Sequence, residues 1–147
     1  MILEKIIRSC SNFKKIFVLI RSKQGFSLQD RLEKDIFQSR IFQVLFETRP
    51  ELVQYVKERV IPIQGDLIQE GLGILPEVRK VLTEELDVII NSAASVSFHE
   101  HLRDAIQINY FGAVRVLALA HECKRLLVLS HVSTAYVGSN LPNFSTV

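Results

Sequence analysis

The stretch Lys15-Ile16-Phe17-Val18-Leu19-Ile20-Arg21 decides how the rest of the chain is read. Five apolar residues in a row, rich in branched side chains and bounded by charge, predict a strand buried on both faces; a strand with one wet face would alternate. Such a strand needs helices on both sides of its sheet, and both flanks supply them. Upstream, Ile2, Leu3, Ile6 and Ile7 are spaced as one face of a helix that ends near Cys10. Downstream, Ser27 to Phe46 predicts a helix with Leu28, Leu32, Ile36, Ile41, Leu45 and Phe46 on its apolar face. Pro50 punctuates it, and Glu51 to Arg59 makes a further short helix.

The pattern then repeats. Val60-Ile61-Pro62-Ile63 is a second strand closed by Gly65-Asp66, and Pro62, which has no ladder donor, argues for an edge or near-edge place. A helix is expected around Glu77 to Glu85. Val88-Ile89-Ile90 is the third strand, followed by the small residues Ser92-Ala93-Ala94-Ser95. Leu102 to Cys123 reads as one long helix, and Leu126 to Val132 as the fourth strand. Strands alternating with helices, without internal repeat or linker, indicate an α/β fold with a doubly wound parallel sheet, one domain over residues 1–147.

Composition agrees and excludes several classes. With 147 residues and 48% hydrophobic content, the chain can bury a sizeable core. A formal net charge of +2, from scattered basic residues, gives no support to nucleic-acid binding. No run of about eighteen uninterrupted apolar residues offers a membrane span. Glu4, Lys5 and Arg8 make the N-terminus an amphipathic helix rather than a signal peptide. Cys10 and Cys123, far apart, read as two buried thiols of a reduced, intracellular compartment. Asn143-Phe144-Ser145 matches a glycosylation acceptor that would matter only in a secreted chain.

In an open parallel sheet, ligands bind beyond the carboxyl ends of the strands. The first of these ends carries Arg21 and Lys23, with no carboxylate until Asp30. An NAD site usually has an acidic residue near the end of the second strand, to accept from the ribose 2′-hydroxyl. Two cations suit a 2′-phosphate instead, which favours NADP; a strand ending in solvated charges also fits this feature alone. Asp66, after Gly65, can accept from an adenine amino group, or can cap the next turn. Ala93 and Ala94 would let a dinucleotide backbone pass close to the third strand end. Asn109 is a poor helix former inside a helix, so it bonds backbone groups there or faces water. Ser133 and Thr134 put two hydroxyls at the mouth of the fourth strand, where one can bond a substrate carbonyl oxygen as negative charge develops, or satisfy a turn.

Other signals point elsewhere. Gly71-Leu72-Gly73 opens like a dinucleotide fingerprint, but no third glycine follows and it does not join a strand to a helix. His99, Glu100 and His101 lack further ligands at zinc spacing and read as a solvated loop, so no metal is expected. Phe37, Phe42 and Phe46 read as core.

Taken in order, Lys15 to Arg21, Gly65-Asp66-Leu67 with Gly71-Leu72-Gly73, Asn91 to Phe98, and His131-Val132-Ser133-Thr134-Ala135-Tyr136-Val137 resemble the fatty acyl-CoA reductase family. Its male-sterility-type NAD(P)-binding domain is related to the extended short-chain dehydrogenase/reductases and has a Rossmann-like fold. The resemblance covers nearly the whole chain. It implies NADPH-dependent reduction of a long-chain acyl-CoA, through an aldehyde, to a fatty alcohol. Arg21 would meet the 2′-phosphate, Asp66 and Leu67 the adenine, and Ala93 and Ala94 the nucleotide backbone. Thr134, or its neighbour Ser133, would be the catalytic hydroxyl. By the same likeness the full-length protein would sit at an endoplasmic reticulum or peroxisomal membrane, through parts outside this chain. Close alternatives are a carboxylic acid or thioester reductase domain acting on carrier-bound acyl chains, and a non-catalytic Rossmann-like binding protein.

The family's Gly-rich loop after its first strand, and its Tyr-x-x-x-Lys, are expected outside the chain. Four residues after Tyr55, Tyr110 and Tyr136 stand Arg59, Val114 and Asn140. In the strand order 3-2-1-4-5-6 the absent first strand is the central one, so a seam of unpaired backbone is expected mid-sheet. The chain expressed alone is therefore expected to be poorly soluble and inactive.

Overall fold

A computed structural model describes residues 1–10, 12–97 and 99–134. Helix α1 (Ile2–Ser9) leads into strand β1 (Ile16–Ile20), the apolar run from which the fold was read. Strands β2 (Val60–Gln64), β3 (Val88–Asn91) and β4 (Val128–His131) follow. β1 pairs with β2 and β3 with β4, both parallel, in registers that set Ile20 opposite Gln64 and Asn91 opposite His131. No ladder joins the two pairs among the described residues. This is the seam expected of a sheet without its central strand, and β1 and β3 each keep one edge free of a strand partner. Pro62 fits its place because, among the described residues, β2 has no second strand beside it.

The region between β1 and β2 departs from one continuous helix. It contains α2 (Leu28–Arg31), a π-helical stretch Leu32–Phe37, α3 (Arg40–Thr48) and α4 (Leu52–Arg59). Ser39 makes the break: its backbone is extended, its carbonyl accepts from the Phe42 and Gln43 N–H groups, and its hydroxyl donates back to the Ile36 carbonyl at 2.6 Å. A serine competing for backbone groups ends one helix and starts the next. The break resets the apolar stripe, so Phe37 and Phe42 turn inward while Ile41, expected in the core, is 40% exposed. Phe37, Phe42 and Phe46 stack on one another with centroids 5.4 to 6.0 Å apart. They join Ile7, Ile20, Leu32, Leu45, Val56 and Val60 in the core that closes this half.

In the second half, α5 (Pro76–Glu85) starts with proline at its first position, where the missing N–H costs nothing. The helix expected from Leu102 to Cys123 is continuous but not uniform: α6 (Leu102–Ala105), a π-helical stretch Ile106–Phe111, then α7 (Gly112–Glu122). Val116 and Leu119 of α7 pack with Leu72, Ile89 and Leu129. The other face of this strand pair is bare: Val88, Ile90 and Val128 are 49%, 42% and 51% exposed.

Cys10 corrects the expectation of two buried thiols. It ends α1 at the surface, whereas Cys123 is half-buried and its thiol donates to the Leu119 carbonyl at 3.2 Å. Among the described residues no helix is long and apolar enough to cross a membrane, and no group of three or more potential metal ligands occurs. Tyr136 and the Asn143 triplet lie outside the described residues.

Candidate functional site

The sheet's carboxyl ends are tied to one another by backbone and side-chain bonds. At the first end, the Gly65 N–H donates to the Ile20 carbonyl at 3.2 Å, which sets Arg21 beside Gly65-Asp66. Arg31 donates from its guanidinium to the Arg21 carbonyl, fixing the backbone there while the Arg21 side chain stays exposed. Lys23 to Phe26 form a tight turn, with Gly25 at φ 80°. The ammonium groups of Lys23 and Lys34 each stand 5.1 Å from the Phe26 ring centre. Two cations on one ring concentrate positive charge in the turn that follows Arg21. Lys34 was not foreseen, because only the fold brings it to this turn.

Asp66 is used in the local turn: its Oδ1 accepts from the Ile68 N–H at 3.1 Å, and its own N–H donates to the Leu72 carbonyl at 2.7 Å. Capping therefore occurs, and Oδ2 takes no bond among the described residues. Behind it, Gly71, Leu72 and Gly73 all have left-handed backbone, with φ of 58°, 64° and 59°. A leucine in that region costs about 1–2 kcal/mol, and the burial of Leu72 to 2% exposure offsets it. So the Gly-Leu-Gly is a turn that backs Asp66, not a phosphate loop.

At the third end, Asn91 is buried and polar. Its Oδ1 accepts from the Ala93 N–H at 3.3 Å and its amide nitrogen meets His131 Nδ1 at 3.1 Å. An amide nitrogen only donates, so Nδ1 must accept, which puts the proton of the neutral His131 ring on Nε2. One side chain thus shapes the Ala93-Ala94 turn and ties it to β4. The signal in the sequence was a polar residue closing an apolar strand. Ala93 and Ala94 are exposed, as are Ser133 and Thr134 just past β4. The Val132 N–H donates to the Asn91 carbonyl at 2.8 Å, so these two turns leave the sheet side by side.

The halves meet through the π-helical stretch Ile106–Phe111. Asn109 fastens Ser95 at two points, accepting from its N–H at 2.8 Å and donating to its carbonyl at 3.2 Å. Arg115 on α7 donates to the Leu67 carbonyl at 2.9 Å and reaches the Gln107 carbonyl at 3.4 Å. Gly112 allows close approach: a Cβ there would stand 3.1 Å from that of Leu67. Arg21 and Lys23 thus gather on one side with Asp66 and Leu67, and Ala93, Ala94, Asn109, Ser133 and Thr134 on the other. A cavity of about 640 Å³ lined by Ile68, His101, Arg103, Asp104 and Gln107 opens where the sides join.

Parallel βαβ halves with loops at the carboxyl ends of their strands define a Rossmann-like domain. Residues 1–146 match the male sterility protein family of NAD-binding domains, and the chain belongs to that family. It is 36% identical over 146 residues to fatty acyl-CoA reductase 1 of Mus musculus, and 37% identical to that of Gallus gallus. A probable fatty acyl-CoA reductase 5 of Arabidopsis thaliana is 34% identical over 142 residues. The chain is covered to 99% by the mouse protein but spans only 27% of that protein's length. Among solved structures, the terminal R domain of a myxalamid PKS-NRPS pathway is 26% identical, with a TM-score of 0.66 over 90% of this chain and 31% of that one. A thiolation-reductase di-domain from an archaeal non-ribosomal peptide synthetase gives 26% and 0.65, covering 97% of this chain and 28% of that one.

Proposed function

We propose that this chain is the cofactor-binding part of an NADPH-dependent reductase that converts long-chain acyl-CoA to fatty alcohol. Relatives named fatty acyl-CoA reductase, at 34–37% identity over nearly the whole chain, support the reductase class and the acyl-CoA substrate. The observation that carries the choice of NADPH is the fate of Asp30. It is the first carboxylate after β1, and it accepts from both the Ser27 N–H and hydroxyl in a capping box. Those bonds, both to Oδ2, hold its carboxyl below the ordinary range and tie it to the start of α2. The first acid in sequence is thus committed to a helix cap, while Lys23 and Lys34 flank the Phe26 ring in the turn after Arg21 and suit a 2′-phosphate.

The residues present fit such a cofactor: cations at the first strand end, an open Asp66 oxygen for an adenine amino group, and small exposed side chains at Ala93 and Ala94. When bound, NADPH would supply one hydride per molecule, the first to the thioester carbonyl with loss of coenzyme A as the thiol, and that of a second NADPH to the resulting aldehyde, with one proton taken up in each reduction. Thr134 or Ser133 donates a hydrogen bond to the carbonyl oxygen as it gains negative charge. Asn109 and Asn91 hold the turns between which substrate and cofactor meet. No tyrosine of the chain has a lysine four positions on, so the proton-donating pair of the family is missing from residues 1–147 and the chain alone does not turn over. The same reading places the protein at an endoplasmic reticulum or peroxisomal membrane.

The test is NADPH oxidation by the longest natural form of the protein, with long-chain acyl-CoA and with the same acyl group on a phosphopantetheinyl carrier protein. Acyl-CoA turnover with NADPH preferred over NADH is expected. The likeness to non-ribosomal peptide synthetase reductase domains favours the carrier-bound substrate as a second reading. Turnover of the carrier form alone would establish that reading in place of the first.

A further inference from the structure

Arg115 joins two loops without belonging to either. It is half-buried on α7, and its partners among the described residues are neutral oxygens: Leu67 O at 2.9 Å, Gln107 O at 3.4 Å and Gln107 Oε1 at 3.4 Å. Its guanidinium carbon lies 5.8 Å from the Phe111 ring centre. Leu67 follows Asp66 in the loop after β2, and Gln107 lies in the π-helical stretch that carries Asn109. The guanidinium only donates, so it fixes the Gln107 amide with oxygen inward. The amide NH2 then has no partner among the described residues, and Gln107 lines the cavity next to Ile68.

We propose that Arg115 is a positioning residue for the adenine end of the cofactor: it sets the distance between the Asp66-Leu67 loop and the Gln107 turn and aims the Gln107 NH2 at the purine. This rests on the reading of Asp66 and Leu67 as the adenine loop. Two donors on one planar group do what a lysine cannot, because a single ammonium has no fixed fork to hold a backbone carbonyl and an amide oxygen at a set separation.

The test uses half-cofactors on the longest natural form of the protein. Adenosine 2′,5′-bisphosphate reports the adenine end and reduced nicotinamide mononucleotide the other. Arg115→Met is expected to weaken the first by about tenfold and leave the second within about twofold. In turnover, KM for NADPH rises while kcat holds. Arg115→Lys restores little, and Gln107→Leu, at a half-exposed position that threatens the fold less, weakens the same half-cofactor by a few-fold. Equal loss of both halves in every variant would make Arg115 merely structural, and unchanged adenosine bisphosphate binding would overturn its role outright. If the unsubstituted protein ignores adenosine bisphosphate but binds the mononucleotide, the adenine-loop reading itself fails.

Discussion

Asn109 and Ser95 are bonded in both directions, the asparagine oxygen to the Ser95 N–H at 2.8 Å and its nitrogen to the Ser95 carbonyl at 3.2 Å. This pair sets the path of the loop leaving β3 past Ala93 and Ala94. Asn109→Asp keeps the acceptor and loses the donor, so it should lower cofactor affinity less than Asn109→Ala. The alanine variant should also lose about 1–2 kcal/mol of stability. Titration of NADPH fluorescence alongside urea unfolding checks both; equal affinity in all three proteins would separate this loop from the cofactor.

Arg21 should govern the choice between phosphorylated and unphosphorylated cofactor. Arg21→Ala is expected to lower kcat/KM for NADPH by about tenfold or more and leave NADH within about twofold. Steady-state kinetics with both cofactors decide it. A matching fall for NADH would mean the residue acts on the fold of the turn and not on the 2′-phosphate.

Gly65 is tolerated only as glycine. A Cβ there would collide with the Leu19 side chain and stand 2.8 Å from the Leu72 carbonyl, a backbone atom that cannot swing aside. Gly65→Ala should cost about 1–3 kcal/mol, seen as a lower urea midpoint at unchanged slope. Leu19→Ala in the same chain should recover only part of it, since the backbone clash remains.

Arg79 binds Glu122 through two parallel bonds of 2.8 Å and also donates to the Gly71 carbonyl at 2.9 Å. The Arg79 hydrogen bonds hold the Glu122 carboxyl below its ordinary 4.5. A carboxyl with a lowered folded value contributes stability that is complete above the unfolded value and is lost as pH falls through the folded one. Unfolding followed below about pH 4.5 should thus show a loss that Glu122→Gln lacks. The effect is modest, because the Glu122 side chain is 49% exposed.

The two thiols should differ in reactivity. Cys10 is exposed, whereas burial, with the Glu122 charge, pushes the Cys123 thiol up and keeps it protonated. Limited alkylation at neutral pH followed by peptide mapping should find Cys10 modified well before Cys123.

The strands were legible because each opens on consecutive apolar residues, a signal carried by neighbours in sequence. All four occur within two residues of where the runs predict them, and Pro62 stands where a residue without a donor can. The helices were legible as apolar spacing but not as geometry. Ser39 and the two π-helical stretches change the pitch for reasons that lie in the packing, so Ile41 went to the wrong side. The ends of the strands could be named as candidates, and Asn91 announced itself as a polar residue closing an apolar strand, yet Gln107 and Arg115 gave no local signal of their part. Arg115 meets Leu67 across 48 positions of sequence, and nothing in the spacing of an arginine within an apolar helix announces that meeting.

The missing ladder between β1 and β3 also bears on how the chain assembles. Paired residues lie 44 positions apart in one sheet, Ile16 with Val60, and 40 in the other, Val88 with Val128. Each pairing closes within its own stretch and neither waits for the opposite end of the polypeptide, yet both are non-local parallel pairings, whose loop closure must come before the contact rewards it. Alternate amides of β1 and β3 should then exchange with solvent deuterium early, while their neighbours in the same strands stay protected.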